Sequence, residues 1–77
     1  MLFTVEIKDA AKSGQAEAAI CLDDEGLEFL IDRLSRLRGK RDHEHMKTPS
    51  WAGQELSEAK QGGDEYDLIH HLRLVKF

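Results

Sequence analysis

Residues 2–8, LFTVEIK, set Phe3, Val5 and Ile7 on one side of an extended chain and Thr4, Glu6 and Lys8 on the other. That is the two-residue period of a strand with one wet face. The next residues, DAAKSGQ, carry the Asp, Ser and Gly signals of a turn, and AEAAICL then places Ala18, Ile20 and Leu22 on one face. A long hairpin is the economical reading. The period changes after it: Leu27, Leu30, Ile31, Leu34 and Leu37 recur at three and four residues, an apolar stripe that predicts an amphipathic helix. Asp23 is suited to cap that helix, since its carboxylate can accept from the unpaired N–H groups of the first turn. Leu22 and Leu27 fall at the positions of a hydrophobic staple. Asp24, Glu25 and Glu28 near the start and Arg33, Arg36 and Arg38 near the end suit the helix dipole. Gly39 follows as a residue able to take positive φ.

Residues 40–47, KRDHEHMK, alternate again, with His43, His45 and Lys47 on one side and Glu44 and Met46 on the other, and predict a third strand. Thr48-Pro49-Ser50 ends it, because Pro49 lacks an N–H and biases Thr48 to an extended conformation. Residues 51–63 read as loop, with a short strand or turn at 54–57 and a polar tip at KQGGDE. Residues 66–77 carry Leu68, Leu72 and Leu74 on one parity and Ile69, Val75 and Phe77 on the other, the mark of an interior strand. The order is β-β-α-β-β. One helix of this kind buries its stripe against one face of a four-stranded, mostly antiparallel sheet, so the fold class is α+β, a two-layer sandwich. The other sheet face, carrying Ile69, His71, Val75 or their neighbours, is then uncovered, a surface for another protein or for a homodimer.

At 77 residues the chain is one domain, residues 1–77, whose core supplies roughly 3–5 kcal/mol at most. The 15 acidic against 11 basic residues, a net charge of -4, argue against nucleic acid as partner, because phosphate binding depends on Lys and Arg. The single cysteine, Cys21, precludes an intrachain disulfide and reads as a buried thiol in a reducing cytoplasm. The N-terminal residues lack the features of a signal peptide, and no run approaches the roughly 20 apolar residues that span a bilayer, so no membrane role is expected.

The chemistry open to these residues is narrow. His43 and His45 share one side of a strand, and His70 or His71 on the closing strand lies within reach of them, an arrangement that would suit Zn²⁺. No HExxH or CxxC accompanies the histidines, so the competing reading, half-buried strand residues bonded to their neighbours, is preferred to a small metal-binding domain using His43, His45, His70 and His71. No serine sits in a GxSxG elbow, Cys21 lacks an electropositive setting, and Gly62-Gly63 has no phosphate-loop frame. An enzyme is not expected, and no cofactor is. Trp51 reads first as a plug at the edge of a small core and second as an interface anchor.

The run HEHMKTPSWAGQELS, residues 43–57, with the ending Leu68-Ile69-His70-His71-Leu72-Arg73-Leu74, resembles the bacterial immunity proteins of family thirty-two from polymorphic toxin systems. The shared pattern is H-x-H-x-x-T-P-x-W-x-G-x-x-L-S followed by a hydrophobic His-His-Leu segment. Ala52 falls at an open position of that pattern, where another glycine is expected of the family. The match covers about residues 43 to 74. It implies a cytoplasmic protein that binds and neutralises a cognate protein toxin. The exposure expected of one sheet face and the adjoining loop then puts His43, His45, Trp51, Glu55 and His71 in position to line or support the toxin-facing surface. The net negative charge would favour a basic toxin such as a nuclease.

Overall fold

The computed structural model describes residues 1–9, 11, 14 and 16–77. Most of the turn expected over DAAKSGQ lies outside the described residues. In chain order the elements are β1 (Phe3–Lys8), β2 (Glu17–Leu22), α1 (Asp24–Ser35), β3 (Asp42–Lys47), a 3-10 turn at Pro49–Trp51, β4 (Tyr66–Ile69) and β5 (His71–Lys76). The α+β class is as the periodicity predicts, with one helix among the elements of the described residues. The single four-stranded sheet is not: there is a three-stranded sheet in the order β2-β1-β4 and a two-stranded sheet of β3 and β5, with all pairs antiparallel.

The division has a local cause. Val5 pairs with Ile69, so the next outward-bonding residue of β1 in that ladder is Phe3. Ser57 occupies it instead: the Ser57 N–H donates to the Phe3 carbonyl at 2.8 Å, and the Phe3 N–H donates to Ser57 Oγ at 2.9 Å. One residue earlier, the Leu56 N–H donates to the Lys47 carbonyl at 3.1 Å. The segment after Trp51 thus stitches the end of β3 to the start of β1. The closing strand, broken at His70, pairs with β1 over its first half and with β3 over its second.

Phe3, Val5, Met46 and Leu56 form the buried centre, with Leu22, Phe29, Leu30, Ile69, Leu72 and Leu74 packed around it. Leu56 lies in the loop-like stretch and has no periodic signal. On β1 the expected wet face is overturned, because Thr4 and Glu6 are fully buried while Ile7 is exposed. The reason is the loop after Ser57, which lies over that face. The Glu6 carboxylate accepts hydrogen bonds from the Thr4 hydroxyl (2.6 Å), the Gln61 N–H (2.9 Å) and the Gly62 N–H (2.7 Å). The face expected to be bare is therefore covered over β1. Cys21 is only half-buried.

Helix α1 begins as the sequence indicates. Asp23 accepts from the Gly26 N–H and from the Leu2 N–H, both at 2.7 Å, so one carboxylate caps the helix and pins the chain entering β1. Gly39 has φ 70°, as its place after the helix requires. The stripe is turned from its expected bearing. Gly26, Phe29, Leu30, Arg33 and Leu37 are buried or half-buried, whereas Leu27, Ile31 and Leu34 are exposed. Two features rotate the helix: Gly26 packs against the Leu2 carbonyl with no room for a Cβ, and Phe29 meets Phe3 with ring centroids 6.1 Å apart. Arg33, assigned above to the helix dipole, instead turns inward beside Phe29, 4.6 Å from its ring centroid, and reaches Glu44 of β3 at 3.7 Å.

Candidate functional site

The β3–β5 ribbon sorts its side chains by parity. Met46 pairs with Leu72 and Glu44 with Leu74, and these face the core and the helix. The other parity is directed away from the helix, and there His45 pairs with Arg73, Lys47 with His71 and His43 with Val75. Imidazoles gather on this outer face. The His43 and His45 rings meet edge to face with centroids 4.8 Å apart, and His45 and His71 lie 5.0 Å apart with His45 Nδ1 and His71 Nε2 hydrogen-bonded at 2.7 Å. One of those nitrogens donates and the other accepts, so both rings cannot be charged while the bond is made.

A tight turn carries the row onward. Thr48 is fully buried, its N–H donates to the His70 carbonyl at 3.0 Å, and its hydroxyl bonds His70 Nδ1 at 2.7 Å. The Thr48 carbonyl accepts from the N–H groups of Trp51 and Gly53, both at 2.9 Å, while the Glu58 carboxylate accepts from the Ser50 N–H at 2.7 Å. These bonds fix the turn on both sides. Ala52 has φ 62°, the left-handed conformation that favours glycine. The Trp51 ring is 56% exposed, parallel to His70 within 1° at a centroid distance of 6.1 Å and 6.3 Å from His71. Trp51 is therefore not a core plug. Leu56 occupies the buried position that the plug reading gave to the tryptophan.

Compared with protein families, curated proteins and solved structures, the chain matches no family model, no curated protein and no solved structure. The likeness to immunity family thirty-two accordingly rests on the residues of the motif alone.

Of the residues that likeness singles out, His43, His45, His71 and Trp51 form one continuous row, with His70 behind the tryptophan. Glu55 stands apart. Its half-buried carboxylate accepts from the Gln54 N–H at 2.8 Å and the Lys47 N–H at 3.4 Å, so it closes the turn from below. Burial would raise its pKa; those hydrogen bonds and the charge of Arg33 outweigh burial and hold it below the usual value. Lys47 and Arg73 belong to the outer face and were not singled out, although the parity of the two strands places them there. Glu58 has no sequence signal that marks its role. Among the described residues no group of three or more His, Cys, Asp or Glu is arranged to hold a metal ion. His45 and His71 turn their facing nitrogens on each other, and His70 spends Nδ1 on Thr48.

The His45 pKa is lowered from its ordinary 6.5, first by loss of hydration and then by the positive charge of His43, His71, Arg73 and Lys47. Glu6, Asp23, Asp42, Glu55 and Glu58 also lie below their ordinary values; at Glu6 and Glu55 burial opposes the shift and hydrogen bonds prevail, whereas at Asp23, Asp42 and Glu58 hydrogen bonds are the leading cause. All six shifts share a sign. A group with a depressed folded pKa gives stability that is present above its unfolded pKa and is lost as pH falls towards the folded one. Unfolding by urea at about pH 7.5, 5.5 and 3.5 is expected to show a small loss at the middle value, from His45, and a larger one at the lowest, from the carboxylates. Unchanged stability across the three would contradict these assignments.

Proposed function

We propose that this chain is a protein-binding module, without catalysis of its own, whose working surface is the outer face of the β3–β5 ribbon together with the Trp51 turn. The partner is a cognate protein toxin, as the likeness to bacterial immunity proteins implies, met in the cytoplasm. The observation that carries the reading is Trp51 itself: a large apolar ring held in the open by a turn fixed from both sides. Exposing tryptophan forgoes burial that a small domain needs, and a rigid exposed aromatic is the kind of residue that dominates binding energy. The imidazoles beside it supply donors and acceptors, and the side chains are held by one another, so little freedom is lost when they are covered. Among the described residues the one hydroxyl bonded to an imidazole, that of Thr48, is fully buried and out of a substrate's reach.

The local charge of this face differs from that of the chain. Lys47 and Arg73 lie on it among the imidazoles, in a protein of net charge -4, so the partner surface that fits carries acidic groups where it meets the ribbon. Charge near the contact decides orientation and rate more than net charge does.

The test is co-purification with the product of the gene immediately upstream. Wild-type chain is expected to retain it; Trp51→Ala is expected to weaken binding at least about tenfold, and His45→Ala by less. Both variants should keep the wild-type circular dichroism, since both residues are exposed. Unchanged affinity in both would place the interface elsewhere.

A further inference from the structure

The exposed stripe on α1 has no role in the surface just described. Leu27, Ile31 and Leu34 are 44%, 47% and 47% exposed, spaced four and three residues apart, and lie roughly 40–100° round the helix from Leu30, which faces the core. Asp24 precedes them on the same line of the helix, and Arg38, in the turn that follows the helix, lines the groove beside Leu34, so the row reads Asp24, Leu27, Ile31, Leu34, Arg38. Beyond Leu34 it opens into a shallow groove of about 290 Å³ that also takes in Leu37, Leu74, Val75 and Lys76. Ile20 of β2, exposed and on the same strand face as the half-buried Leu22, lies on the same side of the domain.

The charges along this row are self-complementary. Asp24 and Arg38 are each seven residues from Ile31, and among the described residues neither takes part in an ion pair. Glu25 and Asp32, by contrast, are engaged by the terminal amine and by Arg36. Two such helices laid antiparallel with Ile31 against Ile31 bring each Asp24 to the other's Arg38 and each Leu27 towards the other's Leu34. A parallel arrangement would set Asp24 against Asp24 and Arg38 against Arg38.

We propose that the Leu27–Ile31–Leu34 face is where a second copy of this chain docks, helix antiparallel to helix, in a two-fold homodimer. The contact is isologous and closes on itself, so it ends at two copies. Because His43, His45, His71 and Trp51 are not among the residues that line the groove beside Leu34, the dimer leaves both His–Trp faces open. The proposal stands whether or not the partner proposed for that face is a toxin.

Sedimentation equilibrium across a concentration series tests it. Wild-type chain is expected to reach twice the chain mass, and Ile31→Asp to stay at the single mass with unchanged circular dichroism. Asp24→Arg and Arg38→Asp, each alone, are expected to self-associate at least about tenfold more weakly, because each homodimer then holds two like-charge contacts. An equimolar mixture of these two variants should recover the dimer mass, since in the mixed pair both contacts are again between opposite charges. A wild-type chain that stays monomeric at about millimolar concentration, an Ile31→Asp chain that still dimerises, or a mixture no heavier than its components would each overturn the proposal.

Discussion

Glu6→Ala is expected to abolish the cooperative unfolding transition of this domain at ambient temperature. The Glu6 carboxylate is fully buried and is the acceptor for the Thr4 hydroxyl and for the N–H groups of Gln61 and Gly62. Alanine leaves those donors without an acceptor, the Thr4 hydroxyl in a buried place and the two N–H groups in part-buried ones, at about 1–3 kcal/mol for each group left unsatisfied. The total reaches the roughly 3–5 kcal/mol that a single core of this size supplies. Glu6→Gln keeps the shape and one acceptor oxygen but turns an amide NH₂ towards a backbone N–H, so an intermediate loss is expected. Urea denaturation followed by circular dichroism distinguishes the three proteins. A loss below about 1 kcal/mol in Glu6→Ala would mean that the 58–63 loop is not anchored on this carboxylate.

The second large effect is expected at Gly53, and its cause is space. A Cβ there would overlap the Lys47 carbonyl oxygen and Cβ and come within 2.6 Å of the Lys47 carbonyl carbon. The Lys47 carbonyl is held by the Leu56 N–H, and Gly53 is itself held by the Thr48 carbonyl, so neither side can yield cheaply. Gly53→Ala should cost about 1–3 kcal/mol, the range for forcing atoms into a packed site. Because the strain falls on the turn that carries Trp51, the variant should also lose binding at that face. Thermal unfolding and the fluorescence of the single tryptophan report the two consequences separately. A variant as stable as wild type would show that the turn is looser than its hydrogen bonds indicate.

What the sequence reveals about this fold depends on how local the cause is. The cap at Asp23, the positive φ at Gly39 and the parity of β3 are set by neighbours in the chain, and each is legible from the residues. The burial of Glu6 is not, because the donors that satisfy it lie 55 and 56 residues away. The bearing of α1 is lost for a related reason: its apolar arc runs from Leu30 and Leu37 round to Leu27 and Ile31, and periodicity alone cannot choose which part faces inward. Gly26 and Phe29 choose it, through contacts with Leu2 and Phe3. Ser57 ends the pairing of β1 with the closing strand, a single hydroxyl and N–H in a stretch with no pattern.

The placement of the histidines is more legible than the sheet. That His43, His45 and His71 share a face follows from period two and an antiparallel register. Trp51 was misplaced because a lone tryptophan in a small domain is usually needed inside, and nothing in the residues 48–53 says that Leu56 fills that role. Glu55 belongs to the motif by position, yet its carboxylate serves the backbone of the turn.

The central claim is that the Trp51 turn and the histidine row are the contact surface. The single tryptophan and four histidines give side-chain resonances that can be followed one by one in a nuclear magnetic resonance titration with the upstream gene product. The Trp51 indole N–H and the ring protons of His43, His45 and His71 are expected to shift or broaden on binding, while the methyl groups of Leu27, Ile31 and Leu34 keep their free positions. Unmoved Trp51 and histidine signals in a formed complex would contradict the account.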